Sequence, residues 1–339
     1  MIPLSDNPAH LRHLCLLLDL GEPRGEPRGV SGGFHHRMWR LETDRGVYAI
    51  KQLAPDTNLA DPDTVTHFNR SESIAEAFSR RGVATISALR QRGNYLQIVA
   101  GAGYLVYPWS DALALEKDQI SQRHAFAIAA LLARMHRADI SGSPREILPL
   151  LHPVDQLIAL AREAEQRGMP YAGALATHLP DFLAILEAQA AARHTLEQHT
   201  VISHGDLDQK NVLWDTSGNP VLIDWESARR LNPVYEVLLE ALDWGGITSR
   251  FDRQLFEGII DAYRAAGGEI AGQFVDAAFH CILGEWLSWM MYNVGRTVFL
   301  EDEQQRVLGT EQIDLTMATI LRLQRLMPQL RASTRAHAG

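Results

Sequence analysis

The stretch VISHGDLDQKNVLW, residues 201–214, runs through a turn-forming DTSGNP towards LIDWES at 222–227. Two short apolar runs joined by Asp, Ser, Gly, Asn and Pro predict a β-hairpin. Asp206 and Asn211 precede the first run and Asp224 ends the second, so a hairpin brings three oxygen-bearing side chains to one end. Oxygens clustered at the ends of buried runs are costly unless something charged lies among them. A hard divalent cation such as Mg2+ takes one or two carboxyl or amide oxygens and completes its shell with water and phosphates. Asn211 and Asp224 match that number. Asp206 is then left to orient a substrate hydroxyl and accept its proton.

Such chemistry also needs a cation on the phosphates. The chain has only three lysines, Lys51, Lys117 and Lys210. Lys51 ends the β-rich run Val47-Tyr48-Ala49-Ile50, where a charged group needs a carboxylate to hold it. The helical stretch that follows, TVTHFNRSESIAEAFSRR at 64–81, offers Glu72 and Glu76, with Glu72 preferred. Upstream of the Lys51 hairpin, Ser31, Gly32 and Gly33 form a turn whose backbone N–H groups can approach phosphates closely.

Around this nucleus the composition is that of an ordinary globular protein, with 339 residues, 46% hydrophobic and 22% charged. That length supports two lobes. The N-terminus lacks the basic-then-apolar pattern of a secretory signal, and no apolar run reaches the ~18 residues of a membrane span. Cys15 and Cys281 lie far apart and match no metal or redox spacing, so a cytoplasmic location is expected. Net charge is −9, and residues 231–303 hold twelve acidic against four basic residues, or −8. That balance argues against nucleic acid as partner and suits a cationic small molecule.

The pattern along the chain is α+β. A short helix around 7–19 and the Pro/Gly-rich GEPRGEPRG at 21–29 precede the 32–53 hairpin. The 64–81 helix stops at Gly82, and Val83–Leu89, Tyr95–Val99 and Tyr104–Val106 read as further strands. After Trp109, apolar residues recur at helical spacing over 119–138, 154–167, 173–198, 234–244, 252–266, 272–293 and 311–328. This predicts a small antiparallel-sheet lobe at 1–107 and a large, mainly helical lobe at 108–339.

Taken together, these residues resemble the aminoglycoside phosphotransferase / choline kinase-like family, a branch of the protein-kinase-like fold. SHGDLDQKNVLW is similar to that family's H-G-D-L-x-x-x-N loop, and LIDWE to its metal-binding segment. VYAIKQL resembles its nucleotide lysine strand, YLVYPW at 104–109 its inter-lobe connector, and LLARMHRAD at 131–139 the helix end before the site. The resemblance implies ATP and Mg2+ as cofactors. It gives Asp206 as the catalytic aspartate, Asn211 and Asp224 as metal ligands, Lys51 as the phosphate contact and Glu72 as its brace. Main-chain groups of Val106, Tyr107, Pro108 and Trp109 would hold the adenine. His204 would support the loop. Departures are Asp208-Gln209, where many members have His-Pro, and Asn232-Pro233-Val234-Tyr235-Glu236 in place of Asp-Pro-x-x-Asp. Glu236 is then the candidate brace for the catalytic loop.

The acceptor is expected against the helical lobe, with Asp208, Glu240, Asp243, Trp244, Glu285, Trp286 and Trp289 as candidate contacts and Tyr292 close by. Acidic and aromatic groups together suit an amine-bearing substrate. The expected activity is therefore transfer of the ATP γ-phosphoryl group to a hydroxyl of an amine-bearing antibiotic, an aminoglycoside or a basic peptide. The alternatives are a metabolic kinase of the choline, homoserine or sugar type and a nucleotide-binding pseudokinase. An activation segment and an APE-like sequence are missing, which disfavours a protein substrate.

Overall fold

A computed structural model describes residues 4, 7–30, 36–116, 119–138, 140, 151–300 and 302–338. It divides into two compact units, Met1–Ile120 with Asp206–Ala228, and Ser121–Gly205 with Arg229–Gly339. In this division the first unit runs to Ile120 and includes the acidic hairpin, where the sequence expectation drew a lobe boundary after residue 107.

The first unit opens with α1 (Pro8–Leu18), capped by Asn7, whose side chain accepts the His10 N–H. It continues through β1 (Arg28–Val30), β2 (Arg37–Glu42), β3 (Val47–Gln52), α2 (Pro62–Arg80), β4 (Gln97–Val99), β5 (Ala102–Pro108) and β6 (Leu113–Ala114). β1 to β5 form an antiparallel sheet in the order β1-β2-β3-β5-β4. Side chains alternate across a strand, so neighbours on β3 face opposite ways. Ile50 joins Leu41, Tyr104 and Val106 in the core that Leu11 and Leu14 of α1 cover. Lys51 faces the other way, level with Leu105, which packs against Phe68 of α2. This alternation delivers a lysine to the α2 side of the sheet.

The second unit begins with α3 (Gln122–Arg137), α4 (Val154–Gln166), α5 (Ala172–Glu197) and β7 (Val201–Ser203). The chain then enters the first unit as β8 (Val212–Trp214) and β9 (Pro220–Leu222), with Val212 opposite Leu222. It returns to the second unit through β10 (Arg229–Leu231), paired with β7. Four helices follow: α6 (Pro233–Trp244), α7 (Arg253–Ala265), α8 (Val275–Phe299) and α9 (Glu303–Ala336). Every helix expected from periodicity is present, and α8 and α9 run longer than expected because they pack along each other. Among the described residues no helix is long and apolar enough to cross a membrane.

One expected strand is absent. Val83–Leu89 makes only an isolated bridge, Thr85 with Leu222. Its backbone is spent clamping β9: the Ile86 N–H donates to the Leu222 carbonyl at 3.1 Å, and the Leu222 N–H to the Ala84 carbonyl at 2.9 Å. This clamp, together with the pairing of β6 to β8 (Leu113 opposite Trp214), attaches the acidic hairpin to the first unit.

Candidate active site

The hairpin draws its acidic end together as its sequence suggests. Beyond the Val212–Leu222 pair, the Ile223 N–H donates to the Asn211 carbonyl at 3.1 Å, which places Asn211 beside the residue before Asp224. Asn211 is buried, and its amide nitrogen donates to both the backbone carbonyl and the Oδ2 of Asp206, each at 2.9 Å. One amide thereby fixes the orientation of the Asp206 carboxylate. The other end of Asn211, its carbonyl oxygen, is the part of the side chain that suits a cation.

Asp224 adopts a left-handed backbone, φ 60° and ψ 68°. Asp tolerates this region better than most residues, and such strain concentrates at functional positions. The neighbouring Trp225 holds it in place. Its ring is buried and stacks on Phe78 of α2 at 5.2 Å between centroids, and its Nε1 donates to Thr85 Oγ1 at 2.6 Å.

Lys51, 8% exposed, reaches this segment. Its Nζ donates to Asp224 Oδ1 at 3.0 Å and to Glu226 Oε1 at 2.6 Å. Burial opposes the ammonium charge, yet the two carboxylates outweigh it and raise the lysine pKa above its usual value. Burial likewise works against the Glu226 carboxylate, but His36 and Lys51 bring its pKa well below the ordinary range. Glu226 Oε2 lies 3.4 Å from His36 Nε2.

Glu72 and Glu76 were both candidates to hold Lys51, and among the described residues neither forms an ion pair with it. Glu76 is taken by Tyr95 and Arg80. Glu72 is buried, accepting the Ala88 N–H at 2.6 Å and the Tyr107 hydroxyl at 2.7 Å. Burial pushes its pKa up to about 7, although those two donors and the charge of Lys51 pull the other way. The lysine goes instead to Asp224 and Glu226, which lie within direct reach. Sequence reasoning left Glu226, inside LIDWES, and His36, within the 32–53 hairpin, without a role. The signal was there in Glu226, an acid two residues beyond Asp224 across a buried tryptophan.

The remaining expected nucleotide contacts are unevenly placed. Ser31, Gly32 and Gly33 lie outside the described residues. In the Val106–Trp109 connector, the Val106 carbonyl already accepts the Leu89 N–H at 2.6 Å, and the Trp109 N–H donates to the Val47 carbonyl at 3.0 Å. Pro108 has no N–H to offer.

In the second unit, Gly205, which precedes Asp206, is anchored from below. Its N–H donates to Glu236 Oε1 at 2.7 Å, and Glu236 Oε2 meets His136 Nε2 at 2.6 Å. His136 Nδ1 in turn meets the Tyr263 hydroxyl at 2.8 Å. Burial disfavours the Glu236 charge, but His136 and the Gly205 N–H keep its pKa below the usual carboxylate value. His204 is fully buried.

A model of the phosphotransferase enzyme family, named APH, matches residues 26–273. The chain belongs to the phosphotransferase enzyme family. The sequence matches no curated protein. Among solved structures, it is similar to spectinomycin phosphotransferase APH(9)-Ia in complex with ADP and spectinomycin, at TM-score 0.66 and 12% identity over 92% of this chain and 98% of that one. It is similar to the choline kinase LicA of Streptococcus pneumoniae at TM-score 0.57 and 15% identity, covering 91% and 99%. The ethanolamine kinase of Plasmodium vivax gives 0.56 and 13%, covering 86% and 81%. At these identities the likeness speaks to the fold, which is the expected kinase-like α+β one.

For this phosphotransferase the expected acceptor contacts divide between the units. Asp208, in the first, accepts the Lys210 N–H at 2.7 Å and pairs with the Lys210 ammonium at 3.1 Å, capping the turn that carries Asn211. In the second, Glu240 and Trp244 of α6 are buried and Asp243 is half-buried. On α8, Trp289 is 36% exposed and stacks on Tyr292, 52% exposed, at 5.3 Å. Half-buried Glu285 lies one turn before Trp289, and among the described residues its Oε2 and the Nε1 of Trp286 have no hydrogen-bond partner.

Proposed function

We propose that this phosphotransferase transfers the γ-phosphoryl group of ATP to a hydroxyl of an amine-bearing small molecule. The observation that carries the reading is the 3.0 Å approach of Lys51 to Asp224, with Asp224 set beside Asn211 on the hairpin that also carries Asp206. A buried cation, two side-chain oxygens suited to a metal and an oriented carboxylate on one scaffold support the reading, because phosphoryl transfer uses such a set.

Asp206 orients the acceptor hydroxyl and accepts its proton as the oxygen bonds to the γ-phosphorus and the bond to the β-phosphate bridging oxygen breaks. Asn211 holds Asp206 in that orientation, and Lys51 compensates the phosphate charge. Among the described residues no three of His, Cys, Asp and Glu cluster as a cage for a metal ion. The donors present, the Asn211 amide oxygen and the Asp224 carboxylate, fit Mg2+, which binds through one or two protein oxygens and substrate phosphates. Such an ion supplies charge neutralisation on the phosphate oxygens.

The acceptor class follows from the acidic 231–303 segment and the α8 stripe of Glu285, Trp289 and Tyr292. A carboxylate beside an exposed aromatic pair favours an ammonium group through ion pairing and cation–π contact. Trp286 follows Glu285 on the same helix, and Trp244 and Glu240 are buried on α6. Aminoglycosides and basic peptides carry several such amines. Choline-type amino alcohols carry one.

The test is a phosphoryl-transfer screen with mass detection, using ATP and a panel of aminoglycosides, basic peptides, amino alcohols and neutral sugars. The reading expects a product one phosphoryl group heavier among the amines. Transfer only to neutral sugars would overturn the acceptor class, and ATP binding with no transfer to any member would favour a pseudokinase.

A further inference from the structure

His36 has no part in the mechanism above, yet it touches the one carboxylate that shares Lys51 with Asp224. His36 immediately precedes β2. Its Nδ1 accepts the Ala54 N–H at 3.0 Å, just past the end of β3. A ring nitrogen that accepts carries no proton, so the proton of this imidazole sits on Nε2. Nε2 faces Glu226 Oε2 at 3.4 Å, while Glu226 Oε1 is 2.6 Å from Lys51 Nζ. The Glu226 carboxylate is therefore held at both oxygens, by histidine on one side and lysine on the other. The histidine is itself oriented by the strand that carries the lysine.

We propose that His36 is a positioning residue for nucleotide binding: by donating to Glu226 it fixes that carboxylate, and through it the direction of the Lys51 ammonium. A carboxylate gripped at one oxygen only can swing, and the lysine it holds swings with it. With both oxygens engaged, the ammonium is presented to the phosphates from one direction, so less ordering remains to be done when the nucleotide binds. The inference rests on Lys51 being the phosphate contact proposed above.

The two nitrogens of His36 can be tested separately. In His36→Asn, the side-chain oxygen replaces Nδ1 and keeps the Ala54 contact but loses the donor to Glu226. In His36→Gln, the amide reaches further and replaces Nε2 as that donor. The measurements are KM for ATP, kcat, and direct titration with ATP.

His36→Asn and His36→Ala are expected to raise KM and the dissociation constant about three- to tenfold, less than the direct loss of a hydrogen bond to a charged group because His36 acts on the phosphates only through Glu226 and Lys51, with kcat little changed. His36→Gln should stay within about twofold of wild type. In a Glu226→Gln background, His36→Ala should add nothing further. A His36→Asn protein indistinguishable from wild type, or additive effects of His36→Ala and Glu226→Gln, would overturn the proposal and leave His36 as an anchor for Ala54. Failure of the wild-type protein to bind ATP would instead overturn the reading of Lys51, so the two failures are distinguishable.

Discussion

Lys51 and Asp224 stand 173 residues apart in sequence and meet at 3.0 Å between Nζ and Oδ1. The pair lies within one unit, because the Val83–Leu89 segment clamps β9 and Trp225 stacks on Phe78. Removing the lysine leaves Asp224 and Glu226 facing each other without their cation. Lys51→Met is expected to lower stability by about 2 kcal/mol, less than for a fully buried pair because Asp224 is partly open to solvent. Activity should fall at least about a hundredfold. Urea denaturation alongside turnover checks both, and a variant as stable and as active as wild type contradicts the assignment.

Asp206 is held by Asn211 and not by Lys51, so its loss should separate chemistry from binding. Asp206→Asn is expected to lower kcat at least about a hundredfold while leaving ATP affinity within about twofold. Steady-state kinetics with a titration of ATP read the two quantities independently. Equal losses in both would mean that Asp206 binds nucleotide.

Glu72 gives stability an unusual pH slope. Its folded pKa is pushed up to about 7, above the ordinary carboxylate value, so the folded chain holds the proton more tightly than the unfolded chain. The resulting stability is present below the ordinary carboxylate pKa and is lost as pH rises through about 7. Glu72→Gln removes the buried charge and with it this slope. The variant should melt above wild type at about pH 8, with the gap closing at about pH 5. A gap independent of pH would show that Glu72 does not titrate in this range.

Glu236 joins the Gly205 N–H to His136 in the interior of the second unit. Glu236→Ala strands a backbone donor and a histidine together, and is expected to cost roughly 3–5 kcal/mol. Glu236→Gln keeps an acceptor for Gly205 and should cost less. Denaturant midpoints compare them; equal costs would mean that the acceptor kept for Gly205 contributes nothing and that the pairing of charge with His136 carries the whole effect.

Much of this was legible in the sequence, for a physical reason. The Asp206, Asn211 and Asp224 cluster follows from a hairpin whose ends are set by apolar runs and a turn, all local features. Ile50 and Lys51 face opposite ways because strands alternate, which is also local. The lysine's partner was not legible. Glu72 lies on the expected helix, but Ala88 and Tyr107 occupy its carboxylate, and both are contacts made across the fold. Val83–Leu89 misleads for the same reason: its residues favour extended structure, and only the position of β9 decides that they clamp it instead of extending a sheet. The role of His36 depends on which nitrogen meets Ala54, something no sequence pattern records.

The central claim is that Lys51 and Asp224 flank one nucleotide triphosphate site. Equilibrium titration of ATP in the presence of Mg2+ into wild type and Asp224→Ala tests it most directly. Affinity in the variant is expected to fall at least about tenfold. Unchanged affinity would contradict the claim.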